Sequence, residues 1–112
     1  MEYALNVLSS DGDKTYTVCL DWDGEELAVS CDCRAGQVGQ HCKHKDAILR
    51  GNYGLVVKEP DNRTMSELTD LIARSAVGSA LHRLVEAEVA VAGAQDSLRQ
   101  AKKSLERAMR RT

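Results

Sequence analysis

The sequence predicts an α+β protein, in which a small head of β-hairpin and short helix is followed by one long coiled-coil-like helix. Three observations carry that prediction. Residues 14–33 alternate apolar and polar about an Asp-Gly pair, and three cysteines and two histidines fall between positions 31 and 44. A seven-residue apolar repeat then runs through the last third of the chain. A length of 112 residues suits one compact core plus one extended element, and is short for two cores. With no Phe, one Trp and three Tyr, large aromatic side chains add little to that core, and so thin a core calls for a staple.

In chain order, Tyr3 to Leu8 is a short apolar stretch ended by the turn cluster Ser9-Ser10-Asp11-Gly12. Lys14 to Trp22 reads as a strand, with Tyr16, Val18, Leu20 and Trp22 on one face and Thr15, Thr17, Cys19 and Asp21 on the other. Asp23-Gly24 is a two-residue hairpin signal, since a type I′ turn takes residues that tolerate positive φ. That turn opposes Trp22 to Glu25, Leu20 to Leu27, Val18 to Val29 and Tyr16 to Cys31. The return strand, Glu25 to Cys33, places Leu27, Val29, Cys31 and Cys33 on the apolar face and leaves Cys19 on the polar one. A connector with Gly36 and Gly39 leads to a helix from about Cys42 to Arg50, stopped by Gly51-Asn52. Tyr53 to Val57 is a candidate last strand. The head thus spans residues 1–60, and 61–63 form a linker.

Residues 64–111 read as one long helix. Thr64-Met65-Ser66-Glu67 fits a capping box, and no proline follows. Val77, Leu84, Val91, Leu98 and Leu105 recur every seven residues, as do Ala80, Ala87, Ala94 and Ala101 three positions later. This is an a/d seam, on a rod of roughly 47 Å from Val77 to Ala108. A head of this size cannot cover so long a seam, so these residues are expected to dimerise two copies. Leu68, Leu71, Ile72, Leu81, Val85 and Val89 widen the apolar surface toward the head, and Gly78 or Gly93 is an expected place for a bend.

Cys31-x-Cys33, eight residues, then Cys42-x-His44 is a four-donor pattern of thiolates and imidazole, which suits one tetrahedral Zn²⁺ per chain. Residues i and i+2 of a strand point the same way, so Cys-x-Cys works there. Cys-x-His works where a helix begins, while its first residue is still extended. Cys19 and His41 are alternative fourth donors. Cys19 is turned away by the hairpin register, and His41 is awkwardly adjacent to Cys42. Three thiolates and a histidine close the shell, whereas a catalytic zinc keeps an open position and a carboxylate base. Asp32 should point away by alternation, so no enzyme activity is expected.

The run from Cys31 to Leu49, with Cys-x-Cys, a variable spacer, Cys42-Lys43-His44 and an apolar helix behind it, resembles a SWIM zinc finger. The resemblance covers about Lys14 to Gly51 and implies that Cys31, Cys33, Cys42 and His44 are the zinc ligands. It also implies DNA or protein binding, since such fingers are accessory modules in transposases, helicase-like proteins and ubiquitin ligases. Many members place an aromatic residue shortly after the second cysteine, where this chain has Arg34-Ala35. Nothing outside the finger resembles those catalytic domains.

Charge divides the chain. Residues 1–62 hold 6 Lys and Arg against 11 Asp and Glu, and residues 63–112 hold 9 against 6. Arg34, Lys43, Lys45 and Arg50 surround the candidate metal site and are candidate contacts for a partner or for nucleic-acid phosphates. An acidic head and the lack of an interleaved stacking platform favour a protein partner, which this chain would bind as regulator, adaptor or inhibitor. DNA binding through the basic residues and the helix end is the alternative. No small-molecule substrate and no membrane contact is expected. The first residues lack a basic stretch followed by an apolar one, so the cytoplasm is the expected compartment. Size and architecture suit a small phage or mobile-element protein.

Overall fold

The structure, a computed structural model, describes residues 1–9 and 11–110. Its elements are strands β1 (Glu2–Leu8), β2 (Thr15–Trp22) and β3 (Leu27–Cys31), then helices α1 (Arg34–Gln37), α2 (Lys43–Leu49), α3 (Asn62–Arg74) and α4 (Ala76–Arg110). The strands form one antiparallel meander in the order β1-β2-β3. The chain divides into two compact units, Met1–Ser79 and the remainder from Ala80 onward. No helix among the described residues is long and apolar enough to cross a membrane.

Period-two alternation decides which face of the sheet is buried. Leu5 and Val7 of β1, Val18 and Leu20 of β2, and Leu27 and Cys31 of β3 are all buried, and the residues between them are exposed or half-buried. Cys33, Cys42, Ile48, Leu68 and Ile72 complete the same cluster. Four half-buried aromatic residues pack at its margin, Tyr3, Tyr16, Trp22 and Tyr53.

The hairpin register differs from the two-residue turn expected. Trp22 pairs with Leu27, Leu20 with Val29 and Val18 with Cys31, a slip of two along β3. The cause lies in Asp23, whose carboxylate accepts from the N–H of Glu25 at 2.8 Å and of Glu26 at 2.7 Å. These bonds, from Glu26 foremost, hold its pKa below the usual value and widen the loop to residues 23–26. An even slip leaves every side chain on its original face. The last expected strand is a single bridge: Val56 pairs with Val7, flanked by Leu8 N–H to Leu55 O and Val57 N–H to Asn6 O, each 2.8 Å.

The long helix is two helices, and it starts earlier than expected. Asp61, not Thr64, caps α3, accepting from the Thr64 N–H at 2.7 Å. Glu67 does not close a capping box; it accepts from the Tyr3 hydroxyl at 2.9 Å. Leu68 and Ile72 join the head's core, and the Arg74 guanidinium lies 5.7 Å from the Trp22 ring centroid. The head therefore includes α3.

The break falls at Ser75, not at Gly78 or Gly93. Ser75 is extended at φ −96°, ψ 166°, and its buried hydroxyl donates to Ile72 O at 2.8 Å while accepting from the Gly78 N–H at 3.3 Å. One side chain so closes α3 and opens α4. Gly78 permits the close approach, because a Cβ there would lie 2.1 Å from Ile72 O. α4 runs on through Gly93 to Arg110; the expected helix end at residue 111 lies outside the described residues.

Leu68→Ala should cost about 2–5 kcal/mol of head stability, read as a lower urea midpoint by Trp22 fluorescence. Leu98→Ala, at an exposed position of α4, should leave that midpoint unchanged at protein concentrations where the chain is monomeric.

Candidate metal centre

Three local structures bring the four donors together. Cys31 ends β3 on the buried face. Cys33, extended at φ −67°, ψ 167°, is the N-cap of α1, and its sulfur accepts from the Gly36 N–H at 3.3 Å. Cys42, at φ −131°, ψ 156°, is the N-cap of α2, and its sulfur accepts from the Lys45 N–H at 3.4 Å. His44 follows in the first turn of α2. Cys33 has left the strand, so the first pair joins a strand end to a helix cap. A thiol thus takes the place usually held by a Ser or Asp oxygen at two helix starts.

The connector closes on itself. Gln37 Nε2 donates to Asp32 O at 2.9 Å and Lys45 Nζ donates to Gln40 O at 2.8 Å. Gly36 is indispensable to its path, because a Cβ there would lie 2.1 Å from Cys31 O. The close approach sets the Cys33 cap beside the Cys31 strand end.

One donor atom from each of Cys31, Cys33, Cys42 and His44 lies within 4.8 Å of the others, and all four residues are buried. His44 Nδ1 is 3.9 Å from Cys31 Sγ. Tetrahedral bonds of about 2.3 Å to sulfur and 2.0–2.1 Å to nitrogen imply donor separations of about 3.6–3.8 Å, so only a small contraction is needed. His44 Nε2 is buried without a hydrogen-bond partner. The ring's other nitrogen, Nδ1, is the one that faces the Cys31 sulfur. The residues fit one metal ion, and three sulfurs with one nitrogen are compatible with zinc.

The electrostatics agree with that fit. Burial pushes the Cys31 thiol up to about 12, so it does not ionise near neutral pH without a cation. Burial also acts to raise Cys33, but the Gly36 N–H and hydrogen bonds with the Cys31 and Cys42 thiols outweigh it and leave Cys33 below its ordinary value. Burial foremost, then the Lys43 charge, lowers the His44 pKa, which keeps the imidazole neutral and able to ligate. Three thiols in this space cannot all ionise unless positive charge is supplied among them.

Several other residues weighed from the sequence lie elsewhere. Cys19 pairs with Ala4 and Ser30 across the sheet and is half-buried. His41 is exposed and sits 3.1 Å from Asp46. Asp32 turns back to accept from the Thr17 N–H at 2.8 Å. One contact escaped the sequence reading: the Tyr16 ring packs on His44, with centroids 5.0 Å apart and planes at 46°. The alternation placed Tyr16 on the correct face but, with the turn two residues shorter, set it opposite Cys31.

Of the basic residues, Arg50 Nε pairs with Asp46 at 2.9 Å and the Lys45 ammonium holds the Gln40 carbonyl. Arg34 and Lys43 line an open depression beside the sulfurs, together with Tyr16 and His41. Along the expected dimer seam, Val77 is half-buried and packs against the head's core. Ala80, Leu84, Ala87, Val91, Ala94, Leu98, Ala101 and Leu105 are exposed.

Fold and site define a small α+β module with a closed set of three cysteines and one histidine for a metal. No family model matches the chain, and comparison with curated proteins and with solved structures finds no match.

Gly36→Ala should weaken metal binding roughly tenfold or more, as outer-shell changes do, measured by competition with a chromophoric chelator. Metal uptake by stripped protein near neutral pH should release protons, the Cys31 proton among them. Because the proton is released on binding, affinity should rise with pH and fall on acidification. Calorimetry in buffers of different ionisation enthalpy reads the number released.

Proposed function

We propose that this chain is a non-catalytic zinc-stabilised interaction module, which pairs through α4 and binds another protein as regulator, adaptor or inhibitor. The observation that carries this reading is the exposed apolar face of α4. Leu84, Val91, Leu98 and Leu105 are 39%, 57%, 56% and 61% exposed, on a 35-residue helix with no buried residue. Apolar residues repeated along one helical face mark an interaction surface.

The metal's part in this reading is structural. The four donors close a tetrahedral shell, the donor set favours zinc, and the thiols are members of the hydrophobic core. The ligand spacing and the helix behind Cys42 resemble the SWIM type of finger, whose members serve as accessory binding modules.

Nucleic-acid binding is the less favoured reading. Two of the four basic residues around the site, Lys45 and Arg50, have their charges engaged within the head. Arg34 and Lys43 alone offer few phosphate contacts, and the head as a whole is acidic.

Light scattering at micromolar concentration should give twice the 12.3 kDa chain mass, and metal analysis of protein purified without added zinc should give about one zinc per chain. A gel shift with duplex DNA should show no complex at low salt. A salt-sensitive complex at micromolar protein would overturn the protein-binding reading in favour of phosphate contacts. A monomer at every concentration would remove the pairing.

A further inference from the structure

α4 carries more than an apolar seam. Its seam sizes and its charges favour the same pairing of two copies. We infer that the occupant of this face is a second copy of α4 running antiparallel, centred on the level of Asp96. This rests on the pairing reading above and goes beyond it by assigning direction and register.

Direction follows first from side-chain size. Along the face, Leu or Val alternates with Ala at every turn of the repeat: Leu84, Ala87, Val91, Ala94, Leu98, Ala101, Leu105 and Ala108. A parallel pair sets like against like, so Leu–Leu or Val–Val layers alternate with Ala–Ala layers. Branched pairs hold helix axes farther apart than alanine pairs do, within the range of about 8–10 Å, so a straight parallel pair leaves voids at the alanines. An antiparallel pair sets Leu84 against the partner's Ala108, Ala87 against the partner's Leu105, Val91 against the partner's Ala101 and Ala94 against the partner's Leu98. Every layer then holds one branched residue and one alanine, and one close separation packs them all.

Charge points the same way. Residues 80–96 carry one base, Arg83, against Glu86, Glu88 and Asp96. Residues 97–110 carry five bases, Arg99, Lys102, Lys103, Arg107 and Arg110, against Glu106 alone. A parallel pair places the two basic halves side by side, whereas an antiparallel pair places each beside an acidic half.

The residues flanking the seam select the register. On one flank, Leu81 meets the partner's Met109, Glu88 meets the partner's Lys102, and Gln95 meets the partner's Gln95. These are an apolar pair, an ion pair and an amide pair that can bond to itself. On the other flank, Ala90 meets the partner's Ser104 and Ser97 meets the partner's Ser97, small residues that allow close approach. A slip of one repeat in one direction sets Glu88 against the partner's Gln95 and Leu81 against the partner's Lys102. A slip the other way sets Glu88 against the partner's Met109. Both lose the Glu88–Lys102 charge match, which the centred register keeps.

Charge reversal in the full zinc-loaded chain tests this. By sedimentation equilibrium, Glu88→Lys and Lys102→Glu should each raise the dimer Kd roughly tenfold, through lost ion pairs and new like-charge pairs. An equimolar mixture of the two variants should return to wild-type association, because both flank contacts in the mixed dimer are again of opposite sign. In a parallel dimer Glu88 instead faces the partner's Arg83 and Lys102 faces the partner's Ser97, so Lys102→Glu costs little and mixing does not return wild-type association. In a Cys19→Ser background, Gln95→Cys should form a reducible dimer under mild oxidation, whereas Leu98→Cys should not. A monomeric wild-type protein overturns the pairing reading itself. A wild-type dimer with no restoration on mixing, or with Leu98→Cys crosslinking in preference to Gln95→Cys, leaves pairing standing and overturns the antiparallel register.

Discussion

Packing of three thiols and an imidazole at the end of β3 is the constraint on which the rest of the head depends. Cys31, Cys33 and Cys42 belong to the same buried cluster as Leu5, Val18, Leu20 and Ile48, so the donor set is part of the hydrophobic core. Two of the sulfurs also cap the helices that follow them, and the connector between the caps is held by Gly36 against the Cys31 carbonyl. Displacing any donor would therefore disturb strand end, caps and connector together. A buried thiol raised to about 12 and a buried ring nitrogen without a partner are costly in an apolar core. A cation coordinated by this set would offset much of that cost.

The sheet tolerates a change of turn without losing the site. Asp23 recruits two backbone amides and lengthens the loop, which moves β3 by two residues against β2. Since side chains alternate with a period of two, Cys31 stays on the core face and Cys19 stays off it. A slip of one would have exchanged them. Tyr16, near the start of β2, no longer lies directly across the hairpin from Cys31 and packs its ring on His44 instead.

Ser75 separates two different uses of an amphipathic helix. Before it, α3 spends its apolar face on the sheet, with Leu68 and Ile72 in the core and Tyr3 bonded to Glu67. After it, α4 begins with Val77 still against the core and then continues as a helix with no buried residue. The same heptad spacing runs across both circumstances, which is why Val77 reads as a seam position although it packs in the head.

Much was legible in the residues themselves. The alternation over β2 and β3 assigned faces, the spacing of Cys31, Cys33, Cys42 and His44 identified a donor set, and the extended backbone required before Cys-x-His appears at Cys42. Helix-forming composition and the heptad marked the long C-terminal helix. These are properties of local periodicity and chemistry, and neighbours in sequence are enough to express them. Tertiary structure decided the remainder: the even register slip at Asp23, the Asp61 cap, the break at Ser75, the transfer of α3 to the head, and the contact of Tyr16 with His44. In each case two groups compete for one backbone or one surface. At Asp23, Asp61 and Ser75 a local side-chain bond to the backbone wins; elsewhere the winner is set by residues distant in sequence, as where Tyr3 takes Glu67 and Tyr16 packs on His44.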